Sequence, residues 1–335
     1  MLREAIVDIV AGKELDSARA EGVMNAIMDG QATPAQIAAL LTALRCRGEH
    51  VGEVVGFARA MRAHVTPVRT TRRPLVDTCG TGGGGQPTIN VSTAAAIVAS
   101  GAGVAIAKHG NRAMTSRCGS ADVLVALGIH LEHTPESIGR CIDALGLGFL
   151  FAPALHPAMK HAVGPRREIG IRTVFNLLGP LTNPAGADGQ VIGAPSVALA
   201  DLMADALCQL GTRHSFVVHG LAGVDEICIE GETHLCEVRD SKVKRRRIRP
   251  GDYGLAESPL IEVLGGDADH NARDILEVLH GRKGPKRDFI VFNAAAAIVA
   301  GDAAPDLSMA VHLAQKSIDS DAALAKLEAW RNWRG

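Results

Sequence analysis

The chain has 335 residues, of which 47% are hydrophobic and 21% charged, and its net charge is −1. Those values exclude a disordered chain and leave no overall electrostatic footprint for nucleic acid or a membrane. Length alone suggests about two domains.

Residues 1–15 interleave charge with apolar side chains, which is not a signal-peptide pattern. Residues 1–64 read as helices only. Asp16 is placed as the N-cap of a helix running to about Met28, with Gly30 as its stop. Thr33-Pro34 pairs an N-cap with proline at the first helical position. The helix it opens has Ile37, Leu40, Leu41 and Leu44 at helical spacing and stops at Gly48; residues 51–64 form one more. The expectation is a small helical domain whose apolar stripes fill its own core or supply a dimer face.

A polar connector, 65–73, leads into an α/β pattern. Residues 75–79 read as a buried strand, 80–85 as a glycine-dense loop, and Asn90-Val91-Ser92-Thr93 as the start of an alanine-rich helix. A second apolar run, 104–107, ends in a basic loop, Lys108-His109-Gly110-Asn111-Arg112. This is a βαβ unit whose loops share the carboxyl ends of its strands, the edge where open α/β sheets bind ligands. Between Asp77 and Asp122 there is no Asp or Glu, while Lys108, Arg112 and Arg117 are present. Glycine N–H groups, a helix N-terminus and fixed cations together suit an anion, phosphate first. A tight βα turn beside a solvated basic loop would explain the glycines alone; the missing acids favour the anion site. The most apolar run, 91–107, is short and broken by Gly101 and Gly103, so a cytoplasmic protein is expected.

Residues 120–127 continue as a helix closed by Gly128-Ile129, Thr134-Pro135-Glu136 starts the next, and 149–152 read as a strand ending at Pro153. Residues 155–184 carry His156, Lys160, His161, Arg166, Arg167 and Arg172 against a single acid, Glu168. A basic surface helix fits them; the Gly179-Pro180 and Asn183-Pro184 breaks favour a segment crossing between domains. Strands at 190–194 and 215–219 flank a helix at 198–210, and the second leads to Asp225-Glu226. Adjacent carboxylates at a strand end can hold Mg²⁺, or can simply be solvated. Residues 227–229 and 234–238 look like a hairpin, and the remainder from Asn271 reads as mainly helical. Lys242, Lys244, Arg245, Arg246, Arg247 and Arg249 could meet nucleic acid or an acidic partner. Without interleaved aromatics they read better as a charged edge strand.

Several chemistries fall away. Gly80-x-Gly82-x-x-Gly85 formally matches a dinucleotide fingerprint, but no acid follows to hold the ribose, and a P-loop's Gly-Lys-Ser/Thr is missing. Seven scattered cysteines with no Cys-x-x-Cys pair give neither a disulfide framework nor a zinc pattern. Cys79 has no base placed beside it. What remains, a phosphate loop, hydroxyls at a helix start, cations and a carboxylate pair, suits a pyrophosphate leaving group with Mg²⁺ attached.

At this point the chain resembles the anthranilate phosphoribosyltransferases over essentially its full length. The match rests on Gly80-Thr81-Gly82-Gly83, Asn90-Val91-Ser92-Thr93, Lys108-His109-Gly110-Asn111-Arg112 and Gly119-Ser120-Ala121-Asp122. It extends to His156-Pro157-Ala158-Met159-Lys160, the run from Arg172 to Pro180, and Asp225-Glu226. The related pyrimidine nucleoside phosphorylases share the fold and a glycine loop, but not this set.

The resemblance implies an α/β protein: a helical domain, 1–68, joined by part of 155–184, and an α/β domain, 74–335, with a mostly parallel central sheet. It implies a homodimer through the helical domain, two Mg²⁺ per subunit, and small-molecule substrates, with no membrane and no nucleic acid. The reaction would transfer the phosphoribosyl group of phosphoribosyl pyrophosphate (PRPP) to the amine of anthranilate. By that similarity PRPP would be held by Gly80, Gly83, Gly84, Thr88, Asn90, Val91, Ser92, Thr93, Lys108, His109, Gly110, Asn111, Arg112, Ala113, Met114, Thr115, Ser116 and Ser120. Ser92, Asp225 and Glu226 would bind Mg²⁺. Gly80, His109, Asn111, His156, Met159 and Arg166 would line the anthranilate path, Arg166 facing its carboxylate. No covalent nucleophile is implied. The chain departs from the family at one point: the glycine loop usually reads Gly-Thr-Gly-Gly-Asp-Gly, and Gly84 stands at the Asp position. Retained activity with a changed Mg²⁺ dependence is expected. Two other readings stay open, a non-catalytic relative that binds nucleic acid through residues 242–249 and a nucleoside phosphorylase.

Overall fold

The computed structural model describes residues 1–82, 86–113 and 117–335, so the expectations placed on Gly83, Gly84, Met114, Thr115 and Ser116 lie outside the described residues. The first four helices are α1 (Leu2–Val10), α2 (Ser17–Met28), α3 (Pro34–Arg47) and α4 (Val51–Ala63). Their starts are set by the expected caps. Asp16 accepts from the Arg19 N–H at 2.8 Å, and Thr33 forms a reciprocal capping box with Gln36. Buried Glu53 accepts from the N–H groups of Leu15 and His50 and pairs with Arg47, tying three segments of the bundle together. Gly56 is the close point between α2 and α4: a Cβ there would lie 2.2 Å from the Ser17 carbonyl oxygen. Gly56→Ala is expected to cost about 1–3 kcal/mol through overpacking, measured as a lower urea midpoint.

The α/β part runs β1 (Leu75–Gly80), α5 (Val91–Gly101), β2 (Ala105–Gly110), α6 (Ser120–Ala126), α7 (Pro135–Leu145), β3 (Leu147–Phe151), α8 (Ala152–Leu155), α9 (Lys160–Ile169), α10 (Val174–Leu181) and β4 (Gly189–Gly193). It continues with α11 (Val197–Leu210), β5 (His214–Gly220), β6 (Thr233–Arg239), β7 (Lys242–Ile248), α12 (Ala268–Leu279), α13 (Pro285–Ala300), α14 (Leu307–Asp319) and α15 (Ala322–Arg331). The strands form one sheet in the order β3-β2-β1-β4-β5-β6-β7. The first five are parallel, and β6 and β7 are antiparallel additions at one edge.

One side of the core joins α5 and α13, two alanine-rich helices buried along nearly their whole lengths, with α14 and α15 beside them. Small side chains let these backbones approach closely, which is how a chain with only 3% aromatic residues fills its interior. The second core unites α1–α4 with α11, part of β4–β6, and Ala162, Val174, Phe175, Leu177, Leu178 and Leu181 of α9 and α10.

Two expectations are corrected. The hairpin is β6–β7, not 227–229 with 234–238. The backbone of the apolar run 227–229 bonds to side chains instead: Ile227 N–H to Asn293 and Cys228 N–H to Thr233. The basic cluster is β7 itself, at the sheet edge, with Arg245 paired to Asp201 and Asp205, and Arg247 and Arg249 to Glu232. Second, Lys108 and His109 are not loop residues. Strand β2 runs on to Gly110, and both are buried within it.

Candidate active site

Strand β1 lies between β2 and β4, so the connections leave it in opposite directions and open a crevice at the carboxyl ends. The strands β1, β2, β4 and β5 all end there in glycine: Gly80, Gly110, Gly193 and Gly220. The reason is close approach. A Cβ on Gly193 would lie 1.6 Å from the Asp225 carbonyl oxygen, and one on Gly80 would lie 3.2 Å from Asp225 Oδ2. The loop after β5 is thereby laid across the ends of β1 and β4, carrying Asp225 and Glu226 to the glycine loop.

There Thr88 Oγ1 donates to Glu226 Oε1 at 3.2 Å, while Oε2 is shielded from solvent and has no hydrogen-bond partner among the described residues. Burial, and then the neighbouring Asp225 charge, push the Glu226 carboxyl well above its ordinary range; burial raises Asp225 as well. Two adjacent carboxylates that resist ionisation, one with an orphaned oxygen, form a donor set that a hard divalent cation would complete.

Arg172 reaches the same place from the turn before α10. Its guanidinium donates to the carbonyl oxygens of Gly82 and Thr81, and the Thr81 N–H donates to the Gly193 oxygen at 3.0 Å. The glycine loop is thus held at its first residues by a cation and by β4.

Beneath the loop, Lys108 Nζ donates to the Thr78 carbonyl and, at 3.2 Å, to Ser92 Oγ. Thr78 Oγ1 in turn donates to the Ser92 carbonyl at 2.9 Å. With 1% exposure, Lys108 sits under the helix start and acts on the crevice through Ser92 and its field. Its counter-charge is Asp77, fully buried, which accepts from the His109 N–H at 2.9 Å and from Asn183 Nδ2 at 2.8 Å. Burial pushes the Lys108 pKa down and that of Asp77 up, and each charge opposes the other's shift.

The basic loop is closed by Asp122, which accepts from the N–H groups of Ala113 and Gly119, both at 2.9 Å, and from Arg112. Burial works to raise its pKa, but these donors win and hold it below the usual range. Asn111 anchors the loop's other side, its carbonyl accepting from the Ala121 N–H. Asn90 joins the loop to the helical part, donating to the Cys118 carbonyl and accepting from Asn271. Val91 and Thr93 are buried in the first turn of α5, and Ser120 opens α6.

On the far side of β2, His109 and His156 face each other, Nε2 to Nε2, at 3.1 Å. His109 Nδ1 lies 3.2 Å from the Gly179 carbonyl, so Nδ1 carries the proton, and His156 Nε2–H donates to an unprotonated His109 Nε2. Protonating His109 would set two N–H groups against each other, and protonating His156 would place a charge in a buried ring. Burial lowers His156 to about 4, and burial with the His156 neighbour lowers His109 to about 3. Both are neutral at pH 7. Because the unfolded chain takes up these protons from about pH 6.5 downward, stability is complete above that and falls as pH drops toward 4. His156→Gln is expected to flatten that part of a stability-versus-pH curve measured by urea unfolding.

Arg166 of α9 holds its guanidinium 5.0 Å from the Phe175 ring centroid, and burial lowers its pKa. Among the described residues it has no carboxylate partner. Met159, just before α9, packs on the second core.

The structure therefore joins Gly80 to Asp225, Thr88 to Glu226, Ser92 to Lys108, and His109 to His156. Ser92 Oγ meets Lys108, not the acids, among the described contacts. Asp77, Asn183, Asp122, Asn271 and Arg172 were given no site role from sequence, although Asp122 and Arg172 lie in segments that carry the resemblance. An acid inside the apolar run 75–79 was the available signal for Asp77. A cavity of about 310 Å³ beside α12 and the start of α13, lined by Glu262, Asp274, Arg282 and Lys286 among others, shares no residue with this cluster, and Lys286 and Arg282 are paired within it.

Family models agree with the two parts: a glycosyl transferase family helical bundle domain matches residues 3–65, and a glycosyl transferase family a/b domain matches 72–324. The chain is 54% identical to an anthranilate phosphoribosyltransferase of Desulforamulus reducens, over 98% of this chain and 95% of that protein. It is 51% identical to one of Moorella thermoacetica, over 99% and 98%. The crystal structure of anthranilate phosphoribosyltransferase from Thermus thermophilus superposes with a TM-score of 0.93 at 45% identity, covering 98% of each chain. A Saccharomyces cerevisiae enzyme in complex with PRPP and Mg gives 0.89 at 29% identity, covering 98% and 96%. With the parallel sheet, the glycine-ended strands and the paired acids already in place, these likenesses settle the family: the chain belongs to the anthranilate phosphoribosyltransferases.

Proposed function

We propose that this chain transfers the phosphoribosyl group of PRPP to the amine of anthranilate, giving N-(5-phosphoribosyl)anthranilate and pyrophosphate in tryptophan biosynthesis. The reading includes Mg²⁺, two ions per subunit, and a cytoplasmic homodimer formed through the helical domain, 1–68, with part of 155–184. The observation that carries it is Glu226 Oε2, shielded and without a partner among the described residues, beside Asp225 and set across the ends of β1 and β4.

The donor set fits Mg²⁺: hard oxygens from Asp225 and Glu226, with Ser92 as the further ligand read from sequence. Bound there, Mg²⁺ would neutralise charge on the pyrophosphate leaving group. The chain's own residues do the rest. Gly80, at the end of β1, brings its backbone to the crevice without a side chain in the way. Lys108 adds a fixed positive field under the start of α5, and Asn90 to Thr93 present that helix's N-terminus to phosphate. Cleavage at the ribose C1 builds positive charge on the sugar, so the weakly basic arylamine attacks without a strong base; positioning sets the rate. The neutral His109–His156 pair supplies an uncharged wall for the ring, and the partly buried Arg166 guanidinium is free for the carboxylate. Met159 and Asn111 complete that path.

A fluorescence assay following anthranilate consumption with PRPP and Mg²⁺ tests both substrates at once. Loss of signal that needs all three components supports the reading; release of a base from nucleosides on adding phosphate instead would overturn it. Gly84 stands where the family's loop carries Asp, so the parent enzyme is expected to need more Mg²⁺ for half-maximal rate than Gly84→Asp. An inactive parent at every Mg²⁺ concentration, rescued by Gly84→Asp, would contradict this.

A further inference from the structure

On the outer part of the sheet, away from the crevice, three side chains of different donor type converge. His234 and Cys236 stand two apart on β6 and so share one face of the sheet. Asp201, on α11, meets that face. Asp201 Oδ1 lies 3.0 Å from His234 Nε2 and 3.3 Å from Cys236 Sγ, and Sγ lies 3.3 Å from Nε2. The three atoms form a nearly equilateral triangle of oxygen, nitrogen and sulfur.

We propose that Asp201, His234 and Cys236 bind a zinc-class divalent ion, separate from the cation site at Asp225 and Glu226, with water in the fourth position. Zinc bonds of about 2.0–2.3 Å place tetrahedral ligand atoms about 3.3–3.8 Å apart, so the triangle needs to widen by only a few tenths of an ångström. The set of one thiolate, one imidazole and one carboxylate suits zinc or cobalt and is a poor match to Mg²⁺, which takes oxygens in an octahedron. Two ligands are fixed by a strand and the third by a helix, so the ion would staple α11 to β6. The open position faces solvent: Cys236 is fully buried, whereas the Asp201 side chain is 35% exposed.

Arg245 is the built-in competitor. Its Nε donates to Asp201 Oδ1 at 2.8 Å and its Nη2 to Asp205 Oδ1 at 2.6 Å. Binding exchanges one cation for another at Asp201, and Arg245 keeps Asp205. Cys236 enters as a thiol and ligates as the thiolate. As the metal–sulfur bond forms, its S–H bond breaks and the proton passes to solvent, while His234 binds through Nε2 with its proton on Nδ1. One proton is released per ion.

Cobalt titration of the full chain reads this directly. The expected result is one Co²⁺ per chain with a thiolate-to-cobalt charge-transfer band, one proton released, and displacement by Zn²⁺. Cys236→Ser loses the band, Glu226→Gln keeps it, and Arg245→Met, which frees Asp201 Oδ1, binds more tightly than the parent. Zn²⁺ also raises the melting temperature of the parent but not of Cys236→Ser. Absence of a thiolate band in the parent overturns the site, as does a band that survives Cys236→Ser or disappears in Glu226→Gln. Should Cys236→Ser fail to fold, Asp201→Asn serves in its place, with Mg²⁺-dependent transferase activity reporting its integrity.

Discussion

Replacing Glu226 by Gln is expected to lower kcat/KM for phosphoribosyl transfer by roughly 10³-fold while leaving the protein as stable as the parent or slightly more so. The two halves of that result have one cause. In the free protein Glu226 is a cost: its Oε2 is shielded and without a partner among the described residues, Asp225 stands next to it, and both effects push its carboxyl up. Gln removes the repulsion and keeps an oxygen for Thr88 to donate to. On the proposed reading the same carboxylate would become a ligand once Mg²⁺ and PRPP are present, and Gln would be neutral where charge is required. Steady-state kinetics across a Mg²⁺ series, paired with thermal unfolding without the ion, separate the two. A variant that melts early and keeps its activity would make Glu226 a structural residue.

The opposite signature is expected for Asp77. Asp77→Ala leaves Lys108 buried without its counter-charge and strips acceptors from the His109 N–H and Asn183 Nδ2. Breaking a buried charge pair by removing one partner costs about 3–5 kcal/mol, which urea unfolding would register directly. Asp77→Asn, which keeps one acceptor oxygen and no charge, should fall between the two. Activity should drop in proportion to the folded fraction and also through displaced geometry, because Asp77 holds His109 and Asn183 in place and balances the Lys108 charge.

These contrasts mark what the sequence could and could not disclose. The helical bundle was legible because its signals are local: Asp16 and Thr33 cap within one turn. The ligand edge was legible because glycines and missing acids cluster in a short window. The strand limits near Lys108 were not, since a lysine and a histidine inside a strand need buried partners, and theirs come from β1, the start of α5, Gly179 in α10 and His156. The run 227–229 misled for the converse reason. It is apolar enough for a strand, yet its backbone groups are satisfied by Asn293 and Thr233 side chains. The charged edge strand was legible in residues 242–249, but the acids that neutralise several of its cations, Asp201, Asp205 and Glu232, lie far off in sequence and were not.

The four glycine strand ends also bear on how such a protein can change. At Gly193 a side chain would run into the Asp225 backbone, and at the other three it would press first on a neighbouring side chain, so these positions are ill suited to encode preference for one substrate over another. Diversity is therefore pushed outward, into the segments that follow each strand, while the floor stays constant. A designer who wished to retarget this scaffold to a different amine acceptor would leave Gly80, Gly110, Gly193 and Gly220 untouched and exchange the downstream segments as cassettes, starting with the stretch that carries His156, Met159 and Arg166.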